Sequence, residues 1–112
     1  MTKKEQYGLR FTRQKLSNGE VFNRVDQKAN GNIDHVILNF IARLDDNDTV
    51  CFIDDLDRCI NGEGNADEGF NSGSVEDMEI LYQYPNVNIN DILTIPMIDL
   101  KQILEEWHAF ID

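Results

Sequence analysis

The chain is poor in residues that do chemistry or staple small folds: two cysteines, two prolines and one tryptophan among 112 residues, and only two histidines. Cys51 and Cys59, eight apart, match no zinc spacing and make no disulfide framework. Cys51 alternates with apolar neighbours and is expected in the core; Cys59, at the start of a loop, is expected to be a free thiol. His35 and His108 show no ligand spacing such as HExxH. No stretch approaches the ~18 consecutive apolar residues that read as a membrane span. The N-terminal MTKKEQYGLR has no apolar segment of the kind that signals export. On this reading the compartment is the cytoplasm, and residues 1–112 form a single domain with one modest core.

Basic residues are scarce where acids are dense. The net charge is −11, from 21 acids against 10 bases. Residues 1–43 hold eight Lys/Arg and four acids, whereas residues 44–112 hold two bases and seventeen acids. Between 44 and 79 twelve acids face Arg58 alone. Such a surface repels nucleic acid and anionic membranes and attracts basic proteins. Neither nucleic acid nor membrane is therefore an expected partner, and the bases of 1–43 are too scattered for a phosphate-binding stripe. The same charge also serves plain solubility.

Residues 1–6 read as a flexible tail. Leu9 and Phe11 alternate with Arg10 and Thr12, and Asn18-Gly19 separates this run from Val21–Val25. Asn-Gly between alternating runs predicts a hairpin with strands near 8–16 and 20–26, both central residues at positive φ. A helical alternative stays open for part of this region. Ile33, Val36, Ile37, Phe40, Ile41 and Leu44 recur at helical spacing, which predicts an α-helix over 33–45 capped by Asn32. Asp45-Asp46-Asn47-Asp48 would stop that helix, its acids opposing the helix dipole. The β-branched and aromatic run 49–53 predicts a strand. Residues 61–74, NGEGNADEGFNSGS, predict a long acidic loop, with Phe70 as loop anchor or exposed contact. A strand over 78–84 is expected, then an Asn90-capped turn over 91–94. In the closing helix Pro96 occupies the first turn, and Leu100, Ile103, Leu104, Trp107 and Ile111 face inward. The expected class is α+β: a small, mainly antiparallel sheet packed with two main helices.

The segment VCFIDDLDRC (50–59) puts adjacent aspartates after an apolar run and resembles the Walker B run of KAP-type P-loop NTPases. That chemistry needs a GxxxxGK[ST] phosphate cradle, and none of the seven glycines precedes a lysine. An EF-hand loop starting at Asp45 would need glycine at its sixth position and glutamate at its twelfth, where Val50 and Leu56 stand. No cofactor, metal site or catalytic residue is predicted, although carboxylate pairs for acid–base work are abundant.

Two later runs, ILYQYPNVNINDIL (80–93) and IDLKQILEEWHAF (98–110), resemble the C-terminal part of small immunity proteins from bacterial contact-dependent growth inhibition and related polymorphic toxin systems. The resemblance covers about a third of the chain. It implies a cytoplasmic, non-enzymatic protein that binds one cognate toxin domain, often a nuclease and by analogy a ribonuclease, and covers its basic cleft with acidic surface. The residues expected to contact such a toxin are Asp54, Asp55, Asp57, Glu63, Asp67, Glu68, Glu76 and Asp77. Phe70, Tyr82 and Tyr84 are expected aromatic anchors. These acids are expected to form a patch without internal counter-charges. An acidic adaptor for another basic protein, or a small carboxylate-dependent enzyme, are the alternatives.

Overall fold

Period-two alternation builds the first hairpin, as expected. The computed structural model describes residues 2–27, 33–62 and 69–111. In chain order these form α1 (Lys3–Gln6), β1 (Leu9–Lys15), β2 (Val21–Gln27), a 3-10 helix (Ile33–Arg43) and α2 (Asp46–Ile60). A short 3-10 turn (Gly73–Val75), β3 (Ile80–Gln83), β4 (Asn86–Ile89), β5 (Leu93–Pro96) and α3 (Met97–Ile111) follow. Every strand pairing is antiparallel, in a two-stranded sheet β1–β2 and a three-stranded sheet β3–β4–β5. The class is α+β. No helix among the described residues is long and apolar enough to cross a membrane.

The turn of the first hairpin differs from the expected one. Gly19 N–H donates to Leu16 O at 3.0 Å, Leu16 N–H donates to Glu20 O at 2.7 Å, and only Gly19 takes a positive φ, of 92°. That is a three-residue loop, a type I turn closed by a left-handed glycine, so Asn18 needs no positive φ. Positive φ falls instead on Asn90 (53°) and Asp91 (57°), which turn β4 into β5 where a capped helical turn was expected.

The largest correction concerns residues 49–53, which lie inside α2 and form no strand. Thr49, Phe52 and Leu56 are buried, and Ile53, Cys59 and Ile60 pack partly buried against the core, a helical spacing. Asp45 caps the helix by accepting the Asp48 N–H at 2.7 Å, and Thr49 Oγ1 donates to Asp45 O at 2.7 Å. The four-residue acidic run therefore begins a helix rather than ending one, and there its charge complements the dipole. Cys51, expected in the core, is exposed, because it falls on the outer side of that helix.

The 33–45 segment is helical but wound as a 3-10 helix from Ile33 to Arg43. Tighter winding stacks residues three apart, so Leu38, Ile41 and Leu44 share the buried line while Val36 is 42% exposed. Asn32, the expected cap, lies outside the described residues. The expected tail is also partly ordered. Glu106 of α3 accepts the Lys3 and Lys4 backbone N–H groups at 2.9 and 2.8 Å, fixing α1 against α3.

One buried cluster joins Leu9, Phe11 and Val25 of the hairpin to Phe40 and Ile41, Phe52 and Leu56, the β4–β5 residues Val87, Ile89 and Ile95, and Leu100, Ile103, Leu104 and Trp107 of α3. Ile111, expected to face inward, is only partly buried at the helix end. Each fully buried large side chain contributes about 1.5–3 kcal/mol. Phe70 is 5% exposed and stacks on Phe52, ring centroids 4.2 Å apart, so it anchors its loop and offers no exposed contact.

Candidate functional site

The helical period places the aspartates of α2 on three sides of one element. Asp46 and Asp57 face α3, where Asp46 meets His108 Nε2 at 2.6 Å and Asp57 meets Lys101 Nζ at 2.7 Å. Asp48 and Asp55 face the opposite flank. Ser74 Oγ donates to Asp48 at 3.1 Å and the Tyr82 hydroxyl donates to Asp55 at 2.9 Å. Asp54 points outward and pairs with Arg58 one turn on, at 2.9 Å. The expectation of a patch without internal counter-charges does not hold: these carboxylates brace α2 on both flanks.

The charge is moderated, not removed. Ser74 and Tyr82 are neutral donors, so Asp48 and Asp55 are held in place without a counter-charge. The side chains of Asp46, Asp54 and Asp57 remain 66%, 57% and 45% exposed. Between these flanks run Asn47, Val50, Cys51, Asp54 and Arg58, with Val50 47% exposed. From Asp46 to Asp57 the row spans about 17 Å at the helical rise. The hydrogen bond to Asp57 raises the Lys101 pKa and keeps the ammonium charged. Beyond the 3-10 turn, Glu76 and Asp77 are exposed. Asp77 bonds Arg43, which holds its carboxyl below the usual carboxylate range.

Of the other residues expected to contact a partner, Glu63, Asp67 and Glu68 lie outside the described residues. Tyr82 is half-buried, with its hydroxyl engaged by Asp55, and Tyr84 is 68% exposed. Tyr84 lines a groove of about 340 Å³ with Ile60, Pro85, Asn86, Pro96, Met97 and Ile98. Ile60 ends α2, so this apolar groove adjoins the acidic helix. Sequence reasoning missed it because it forms only when the end of α2 meets the β3–β4 turn and the start of α3. The one local signal was Ile98, a large apolar residue off the inward face of α3 and 56% exposed.

Among the described residues no group of three or more His, Cys, Asp or Glu is placed to hold a metal ion. The arrangement displays fixed negative charge beside an apolar groove, which suits binding of a cationic surface. The chain matches no protein-family model, no curated protein and no solved structure.

Proposed function

We propose that the chain is a protein-binding module whose outer α2 face covers a basic surface on one partner. Following the resemblance of residues 80–93 and 98–110, it acts as a cytoplasmic immunity protein, with a nuclease-type toxin domain as that partner. The observation that carries this reading is the row of carboxylates held on both flanks of α2 with their outer oxygens still in water. Charges fixed before the encounter lose little side-chain freedom on binding, and steering by opposite charge speeds association. Tyr84 and the adjoining groove supply the apolar contact that electrostatics lacks.

On this reading a toxin gene should adjoin this one, and the test is co-expression with that toxin's C-terminal domain. Changing Asp48, Asp54, Asp55 and Asp57 together to Asn keeps a hydrogen-bond acceptor at each position while removing four charges. Host protection should be lost while the far-UV circular dichroism stays that of the wild type. Full protection by the folded variant would overturn the reading. An adaptor for another basic protein would confer no protection even as wild type.

A further inference from the structure

The turn end of the β1–β2 hairpin extends past the core. The half of the β1–β2 hairpin beyond Thr12 leaves the core: Arg13, Gln14, Lys15, Glu20, Val21, Phe22 and Arg24 are all exposed. The sheet has two strands, so the outer edge of β2 pairs with no strand among the described residues. The 3-10 helix lies against β2, yet Val21 and Phe22 are each 50% exposed. Two-stranded sheets are marginal in water and gain from a third strand. The β1 edge carries Arg10, Arg13 and Lys15, charges of the kind that discourage edge pairing. Between Val21 and Asn23 the β2 edge carries none.

The ladder decides which groups that edge offers. The Leu16 N–H to Glu20 O bond marks 16 and 20 as a hydrogen-bonded pair, and the register pairs Gln14 with Phe22 and Thr12 with Arg24. Hydrogen-bonded pairs recur every second residue, so Val21 and Asn23 aim their N–H and C=O away from β1. We propose that β2 pairs antiparallel with β2 of a second copy about a two-fold axis at Phe22, forming a continuous four-stranded sheet.

The argument for a second copy as occupant is charge complementarity within Glu20-Val21-Phe22-Asn23-Arg24. Antiparallel pairing centred on Phe22 sets Val21 against the partner Asn23, where the outward backbone groups of both meet. On the solvent face Phe22 stacks on its own copy, and Glu20 stands opposite the partner Arg24, twice by symmetry. Arg24 is 55% exposed, paired at 3.3 Å with Asp26 and donating to Gln14 at 3.4 Å, and its five N–H groups leave donors for a second carboxylate. The register one step on sets Glu20 against the partner Asp26, a like-charge pair. A two-fold contact of this kind closes on itself and stops at the dimer.

Sedimentation equilibrium of the full chain tests this. The interface is small, so the dissociation constant should fall between about 1 µM and 1 mM. Glu20→Arg or Arg24→Glu alone should weaken association about tenfold, and the two together should restore it. In a Cys51→Ser, Cys59→Ser background, Phe22→Cys should cross-link under mild oxidation. Facing residues in a non-hydrogen-bonded pair lie about 4.5 Å apart at Cα, inside the disulfide window. A wild-type monomer at about 1 mM, or a dimer indifferent to both charge reversals, would overturn the proposal. So would cross-linking at Asn23→Cys but not at Phe22→Cys.

Discussion

Tyr7 shows how single side chains hold the ends of this chain together. Its hydroxyl donates to Asp99 at 2.7 Å, and Lys3 Nζ reaches the same carboxylate at 3.1 Å, while Glu106 accepts two backbone N–H groups of α1. Burial first, then the bond to Asp99, raises the Tyr7 pKa well above its ordinary value of 10.0. A group whose folded pKa is raised stabilises fully below its unfolded pKa and loses that contribution as pH climbs through the folded one. Lys101 is raised above 10.5 through Asp57 and has the same sign. Thermal melts should therefore hold steady up to about pH 10 and fall above it. Tyr7→Phe should cost about 1–2 kcal/mol in urea unfolding at pH 7 and blunt that alkaline loss. At the start of α2, Asp45→Ala removes the cap on Asp48 N–H and should cost about 1 kcal/mol.

Among the elements, α2 teaches the most about what the sequence conveys. Strand propensity pointed one way over 49–53, while the spacing of Thr49, Phe52, Ile53, Leu56 and Ile60 pointed to a helix that extends well past that window. The longer pattern wins because burying a whole helical face outweighs local preference. The hairpin and α3 were legible for the complementary reason, a period held over the whole element, although Pro96, expected in the first turn of α3, closes β5 instead. The β3–β4–β5 meander was only partly legible, since its four-residue strands are too short to show alternation. Phe70 was legible only as an open choice between loop anchor and exposed contact, because its stacking on Phe52 depends on how 69–70 meets β3. There Gly69 bridges Leu81, and a Cβ at Gly69 would sit 1.9 Å from the Ile80 carbonyl oxygen. Gly69→Ala should cost about 2–4 kcal/mol in denaturant unfolding, because backbone must move to admit the methyl. Gly19→Ala, strained by its positive φ but in open space, should cost about 1–2 kcal/mol.

Over the whole molecule, charge is divided: the hairpin is basic, and the helix that braces the other half is acidic. The acidic bias was legible from composition. The site itself was legible only in part, since Asp54, Asp55 and Asp57 proved to point in three directions and to carry internal bonds. Helical geometry explains the spread: Asp55 and Asp57 bond Tyr82 and Lys101 on opposite flanks, and Asp54 pairs with Arg58 on the outer face. Association with a basic partner should accordingly slow and weaken as salt rises through physiological ionic strength. The most direct test of the central claim is calorimetric titration of the proposed partner, a basic toxin domain against which this chain protects on co-expression, with the wild-type chain and with the Asp48, Asp54, Asp55 and Asp57→Asn variant. The account predicts that the variant stays folded, melting somewhat lower for loss of the Asp57–Lys101 pair, and binds about a hundredfold or more weakly. Equal affinity of the two chains would contradict it.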